Sequence, residues 1–190
     1  MGQYYRATIK DIDNGELNSF STYDYGNGAK LMEHSYLGND YVTAVLNYLK
    51  EHTCHLWWLG DYAEDDDFEG CDDEHTLSIA ERRCAWSDGV CIAPHEGNWV
   101  WSYLPYTVVN LDKKCYIKLA EVGDFVICPL PLLTAVGNGA GGGDYYGDAC
   151  ADLVGSWAGD TITVVTSYNY ELPDEYADFT DVTDKIIFKE

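Results

Sequence analysis

The sequence is poor in basic residues. Eleven lysines and arginines stand against 33 aspartates and glutamates in 190 residues, so the formal net charge at pH 7 is -22. A folded chain with this charge repels nucleic acid and anionic membrane surfaces, which excludes direct binding of either. Basic protein surfaces and metal ions are the partners that such a charge attracts. An acidity that serves solubility alone stays open as a second interpretation.

The sequence also lacks any run of about 20 apolar residues, the length that a membrane-spanning helix requires. The first residues, MGQYYRATIKDID, contain no apolar signal core. Gly2 is not in a myristoylation context, because position 6 is Arg6 instead of serine or threonine. We therefore expect a cytoplasmic protein. Its seven cysteines, an odd number, are expected to be reduced thiols and not a closed disulfide framework.

Apolar and aromatic residues are abundant: 46% of the chain is hydrophobic, and it has 16 tyrosines and 6 tryptophans. This content excludes a disordered acidic tail and predicts a domain with a core of its own. We see no internal repeat and no linker in the sequence. We therefore predict a single α+β domain over residues 1–190, with an antiparallel sheet and a few helices packed on it.

Alternating patterns and turn residues locate the strands of this sheet. YYRATIKDI and ELNSFSTY flank the turn DNG, a combination typical of a β-hairpin. HLWWLGDY predicts a short buried strand ending at Gly60, and DTITVVTSY predicts another. Residues 99–111 and 115–122 are rich in Tyr, Val, Ile and Trp and predict a second hairpin, across the turn DKK.

Helices are predicted at two places, and one apolar segment is harder to assign. Asn39 is a suitable N-cap for a helix over DYVTAVLNYLKEH, and TLSIAERRC is also typical of a helix. DFVICPLPLLTAV contains Pro129 and Pro131, so we expect an edge strand or an extended segment there. The apolar face of the first helix consists of Tyr41, Val42, Val45, Leu46 and Leu49.

The glycine-rich segment GNGAGGGDYYGD, residues 137–148, contains the letters of the GxGxxG dinucleotide motif. A P-loop would need lysine and then serine or threonine after its last glycine, and a dinucleotide site would need an early βαβ unit. We therefore predict tight left-handed turns packed against another segment and held by Tyr145 and Tyr146. A small-nucleotide site or a hydrolase that uses this loop with His34 or His95 stays open.

No motif of the sequence carries a specific chemical signature. The best zinc set is Cys71, His75, Cys84 and Cys91, but its spacing lacks a CxxC, and ordinary thiols are the competing interpretation. No local signature links a histidine to a nucleophile, and residues 61–74 do not have the glycine and glutamate positions of an EF-hand. We therefore predict no catalytic residues, no metal site and no cofactor, and a protein that is not an enzyme.

Acidic residues are concentrated in two runs, nine within residues 61–74 and six within residues 171–184. In the second run acids recur every three or four positions, which on a helix would align them along one side. A row of fixed carboxylates resembles a phosphate backbone and would bind a surface built to hold DNA or RNA. The predicted partner-binding residues are Asp65, Asp66, Asp67, Asp72, Asp73, Glu74, Asp174, Glu175, Asp178 and Asp181.

Several stretches resemble a family of small proteins from gut bacteria, their phages and mobile elements. They are MGQYYRA, AKLMEHSYLGN, WLGDYAED, VVNLDKKCYIKL, PLPLLTAVGNGAGGGDYYG and LVGSWAGDTITV. The chain departs from the family at Ala140, where the family's loop carries arginine. The resemblance extends to phage-encoded anti-CRISPR proteins that inhibit Cas9.

Cas9 holds guide RNA and target DNA in positively charged channels. The resemblance therefore implies a stoichiometric inhibitor in the host bacterial cytoplasm, which blocks DNA engagement by nucleic-acid mimicry. The alternative of another class is a structural or regulatory protein of a mobile element, acidic for solubility only.

Overall fold

The structure is a computed structural model, and it describes residues 1–69, 71–87, 106–119, 127–148, 150–166, 171–186 and 188. These residues form an α+β fold around one mixed, mostly antiparallel sheet, which confirms the predicted fold class. The strands are β1 (Tyr5–Asp11), β2 (Leu17–Ser19), β3 (Cys54–Gly60), β4 (Tyr106–Asn110), β5 (Cys115–Leu119), β6 (Ala135–Val136), β7 (Thr161–Thr166) and β8 (Thr180–Asp181). They lie in the order β2-β1-β3-β7-β4-β5-β8, with β6 paired to β3.

The α-helices have between 4 and 12 residues, and many of the connections contain a single 3-10 turn. The α-helices are α1 (Leu31–His34), α2 (Asp40–Glu51), α3 (Ile79–Ser87) and α4 (Pro129–Leu133). The 3-10 turns are Thr22–Tyr25, Asp65–Phe68, Asp73–His75, Ala151–Leu153, Asp174–Tyr176 and Thr183–Lys185. No helix of the described residues has the length and hydropathy to cross a membrane.

Both predicted hairpins are present within the described residues. In the first, the Asp11 carboxylate accepts the backbone N–H groups of Asp13 and Asn14, and β1 pairs antiparallel with β2. In the second, Tyr106 pairs with Leu119 across the turn 111–114. Residues 99–105 and 120–122 of that prediction lie outside the described residues.

Helix α2 begins where the sequence predicts. The Asn39 side chain accepts the backbone N–H groups of Tyr41 and Val42, and all five residues of the predicted apolar face are buried. The Tyr41 hydroxyl accepts the N–H of Ala7 and donates to the carbonyl of Phe20. The helix is therefore joined to the sheet by polar contacts as well as by apolar packing.

Strand β3 is buried on both of its faces, which explains its continuous apolar sequence. Leu56 and Trp58 belong to the main core under α2, whereas Trp57 and Leu59 belong to a second, smaller core. Because side chains alternate across a strand, neighbouring residues enter opposite layers. The second core also contains Phe68, Leu77, Ala85 and Val136.

The prediction of an edge strand or extended segment at the prolines is wrong for residues 129–133, which form α4. Pro129 and Pro131 both stand in the first turn of that helix, where backbone N–H groups have no intrahelical acceptor. The missing N–H groups therefore cost nothing there, and the buried leucines of α4 secure the turn. Extended chain is found before the helix at Ile127 and Cys128 and after it at β6, which pairs parallel with β3. Residues 124–126 of the predicted segment lie outside the described residues.

The second acidic run does not form the helix on which its acids would align along one side. Two 3-10 turns occupy this run, and between them β8 pairs parallel with β5. The N–H of Thr180 donates to Lys114 and that of Val182 to Tyr116. β8 occupies an edge of β5 that would otherwise be unpaired. The segment is extended there because backbone hydrogen bonding to a strand edge requires an extended chain.

Candidate functional site

The acidic segment, residues 61–74, leaves the sheet after β3 and is held by apolar anchors. Phe68 within the segment and Leu77 just beyond it are buried in the second core. All its nine carboxylates are exposed, as the sequence predicts for a surface loop: Asp61, Glu64, Asp65, Asp66, Asp67, Glu69, Asp72, Asp73 and Glu74. The segment is thus a fixed surface that displays one sign of charge.

Little of this charge is neutralised by the protein itself. Asp65 pairs with Arg82, whose guanidinium lies 5.1 Å from the centroid of the Phe68 ring. No other carboxylate of the acidic segment pairs with lysine or arginine in the described part of the chain. The Asp67 carboxylate accepts the backbone N–H of Glu64 at 2.7 Å, which caps the 3-10 turn Asp65–Phe68. The arrangement leaves most of the negative charge open to a partner.

The second acidic run is used differently. Asp174, Glu175, Asp178 and Asp181 are all exposed, but Asp181 also lies 2.9 Å from the Lys118 ammonium and accepts the N–H and hydroxyl of Thr183. Burial raises the pKa of the Asp181 carboxyl, yet the bonds from Thr183 and Lys118 outweigh it and the net pKa is lowered. Asp181 therefore serves the attachment of β8.

Both acidic runs are linked to the β4–β5 turn. The imidazole of His75, directly after the acidic segment, lies 3.4 Å from the Asp112 carboxylate. Two residues further along the same turn, the carbonyl of Lys114 accepts the N–H of Thr180. The tertiary structure thus links to one turn two residues, His75 and Thr180, that are about a hundred positions apart in sequence.

A group of metal-ligating side chains lies at the same turn. His55, His75 and Asp112 offer ligand atoms that all lie within 4.8 Å of one another. His55 Nδ1 is 2.8 Å from the carbonyl of Gly159, and the N–H of Thr161 donates to Asp112 Oδ2 at 2.6 Å. Burial raises the pKa of the Asp112 carboxyl, but the hydrogen bonds from Thr161 and His75 give a net lowering.

A polar cleft of about 630 Å³ opens beside this group. His75 and Asp112 line it together with Cys71, Asp67, Asp72 and Asp160. The Asp160 carboxylate accepts hydrogen bonds from the Lys113 ammonium and the Asn110 side-chain amide, so its negative charge is already compensated. The cleft therefore connects the acidic segment to the β4–β5 turn.

The zinc set considered from the sequence is not assembled in the described residues. Cys71 and Cys84 are exposed free thiols, Cys91 lies outside the described residues, and His75 is joined by His55 and Asp112 instead. No sequence signal pointed to this grouping. In the sequence, His55 lies in a predicted strand and Asp112 in a predicted hairpin turn. Only the pairing of strands brings His55 and Asp112 together.

In the glycine-rich loop 137–148, two backbone amides that could bind an anion already have an acceptor within the loop. The N–H groups of Gly139 and Gly141 donate to Asp144 Oδ2 at 2.7 and 3.0 Å, and the Tyr5 hydroxyl donates to Oδ1 at 3.2 Å. Asp144 is only 4% exposed. Burial, together with this carboxylate, raises the pKa of Tyr5. The anion that these donors bind is therefore the carboxylate of Asp144, a residue of the loop itself.

The predicted backbone role of the glycines is confirmed. Gly137, Gly139 and Gly143 have positive φ, and a Cβ at Gly141 would stand 2.7 Å from the backbone nitrogen of Gln3. Tyr145 is buried with its ring 5.3 Å from that of Phe188. Tyr146 is exposed, but its hydroxyl donates to the carbonyl of Gly141. Both tyrosines therefore hold the loop.

His34 is a structural histidine. Its Nδ1 lies 3.1 Å from the carbonyl of Gly28, and its Nε2 accepts the indole N–H of Trp58 at 2.8 Å. Burial lowers the pKa of His34 from 6.5 to about 4, so the ring is neutral, with its proton on Nδ1. His95, the other histidine considered with the glycine-rich loop, lies outside the described residues.

Comparison of the chain with protein-family models, curated proteins and solved structures finds no match. The resemblance to a family that includes anti-CRISPR proteins therefore stays a prediction. What can be argued about function comes from the acidic segment, the adjoining cleft and the side chains that position them.

Proposed function

We propose that this protein inhibits a nucleic-acid-handling enzyme by inserting its acidic segment into the positively charged channel of that enzyme. A single observation carries the proposal: nine carboxylates within residues 61–74 are all exposed, and one of them has a lysine or arginine partner among the described residues. The target that we favour is Cas9 of the bacterium in whose cytoplasm the protein would act, because Cas9 holds nucleic acid in such channels.

The acidic segment is suited to this role because it is anchored. Phe68 and Leu77 hold its middle and end in the second core, so less conformational entropy is lost on binding than for a disordered tail. Long-range attraction between the segment and a basic channel would speed association and make it depend steeply on salt. The inhibition would be stoichiometric, and no bond would be broken.

The mimicry is one of charge density and not of regular spacing. Asp65, Asp66 and Asp67 occupy successive positions of a 3-10 turn, which has three residues per turn. Their side chains therefore point in three directions about 120° apart. Such a patch fits a wide cationic surface, whose lysines and arginines can adjust to it, better than a slot for a straight strand.

The experiment is a binding assay with purified, guide-loaded Cas9 over a series of salt concentrations. The test variant is D66N/D72N/D73N/E74Q, and the matched control is D13N/E16Q/E51Q/D152N, which removes the same charge outside both acidic runs. We expect wild type and control to bind and the test variant to lose at least tenfold in affinity. Absence of binding at low salt overturns the choice of Cas9, and an equal loss in both variants overturns the role of the acidic segment.

A further inference from the structure

We infer that His55, His75 and Asp112 bind a divalent transition-metal ion, for which Zn²⁺ is the best match. The three side chains come from β3, from the 3-10 turn Asp73–His75 at the end of the acidic segment and from the β4–β5 turn. Their ligand atoms lie within 4.8 Å of one another. Two imidazole nitrogens and one carboxylate oxygen form a ligand set that Zn²⁺ accepts readily, whereas Ca²⁺ and Mg²⁺ prefer oxygen alone.

The surroundings of His55 are those of a metal ligand. With Nδ1 hydrogen-bonded to the Gly159 carbonyl at 2.8 Å, the proton is on Nδ1 and the lone pair is on Nε2. Metal-binding histidines commonly donate their second ring nitrogen to a backbone carbonyl, which sets the tautomer and the ring orientation. An ion bound through Nε2 would therefore leave this hydrogen bond in place.

His75 and Asp112 already have the separation of two ligands. His75 Nε2 and Asp112 Oδ2 are 3.4 Å apart. Two donors of a tetrahedral zinc ion with bond lengths of about 2.1 Å are separated by about 3.4 Å. The N–H of Thr161 orients the Asp112 carboxylate, and the Trp57 indole donates to the backbone carbonyl of His75 at 3.1 Å. Both ligands are thus positioned by the sheet.

The cleft has room for the fourth ligand that a tetrahedral ion needs in addition to the three protein ligands. It is lined by His75 and Asp112, and its volume of about 630 Å³ admits water as a fourth ligand. Asp67 and Asp72 also line it, and their negative charge favours the accumulation of cations near the group. The bound ion would fasten the end of the acidic segment to the sheet. This inference does not depend on the proposed function.

The test is titration of chelator-treated protein with Zn²⁺, followed by calorimetry and thermal unfolding, and with Co²⁺, followed by its visible absorption. We expect one ion per chain and a rise in Tm of about 5–10 °C at a hundredfold excess over Kd. H55A, H75A and D112N should each weaken binding at least tenfold. The control H52A removes another surface histidine, 3.6 Å from the carboxylate of Asp11, and should bind like wild type.

Nitrogen NMR of the histidine rings in the wild-type protein keeps the test independent of whether the variants fold. Zinc should shift one ring nitrogen of both His55 and His75 and leave His34 unchanged. Absence of stoichiometric binding, unshifted His55 and His75 rings, a thiolate charge-transfer band with Co²⁺, or an equal loss of affinity in H52A would each overturn the inference.

Discussion

The glycine-rich loop and the acidic segment differ in what they do with their polar groups. The glycine-rich loop has amides that could hold an anion, but it fills them with its own Asp144. The acidic segment has carboxylates that could hold cations, and it leaves nearly all of them to solvent. The comparison teaches that a motif of binding-competent groups indicates a site only when the fold has not already satisfied those groups.

Asp144 gives the strongest test of this contrast. D144A would leave the amides of Gly139 and Gly141 and the hydroxyl of Tyr5 without their buried acceptor, so we expect a loss of about 3–5 kcal/mol in the free energy of unfolding. Urea denaturation measures it. D148A, an exposed acid of the same loop, is the control and should cost less than about 0.5 kcal/mol.

The same variant sharpens the interpretation of the loop. If Asp144 occupies an anion site, inorganic phosphate should stabilise D144A and leave the wild type unaffected. Phosphate that stabilises the wild type to the same degree would contradict the view that the carboxylate fills this site.

His34 extends the comparison to pH. Burial lowers its pKa from 6.5 to about 4, so the unfolded chain binds the proton more tightly than the folded one. Its contribution is therefore complete above pH 6.5 and is lost as the pH falls towards 4, by about 3 kcal/mol. Denaturation of wild type and H34Q across this window measures the effect. Parallel pH profiles for the two proteins would contradict it.

Arg82 tests how the acidic segment is held. R82A removes the cation above Phe68 and the pair with Asp65, and we expect a loss of about 1–2 kcal/mol. The greater part should come from packing, since the Arg82 side chain is 11% exposed but Asp65 is 72% exposed. R82K keeps the charge without the planar guanidinium and should lose almost as much. Full stability in R82K would assign the effect to charge.

The smallest effect on stability is expected where the functional effect is largest. D66N/D72N/D73N/E74Q changes four exposed side chains without lysine or arginine partners among the described residues, so its free energy of unfolding should change by less than about 0.5 kcal/mol. Thermal denaturation beside D13N/E16Q/E51Q/D152N measures it. A large loss would show that these acids support the fold.

Much of the fold follows from local sequence signals. The two hairpins, the Asn39 cap, the apolar face of α2 and the buried strand β3 are all predicted, since turn residues, caps and side-chain periodicity act over a few neighbouring positions. Two elements that the sequence did not predict have another origin. Helix α4 and strand β8 depend on what a distant segment offers, a buried site for leucines and an unpaired strand edge.

The candidate sites divide in the same way. The exposure of the acidic segment is predicted from its composition, because a dense run of like charges cannot be buried without partners. The grouping of His55, His75 and Asp112 is not predicted, because it requires the register of β3 with β7 and of β7 with β4.

The sequence by itself therefore determined the sign of the surface charge, the main helix and hairpins, and where the acids would be exposed. Only the tertiary structure decided which polar groups remain available. It buried Asp144 in its own loop, paired Asp181 with Lys118 and placed two histidines beside Asp112. The physical reason is that hydrogen bonds and ion pairs join groups by their distance in space, and strand pairing sets that distance independently of separation along the chain.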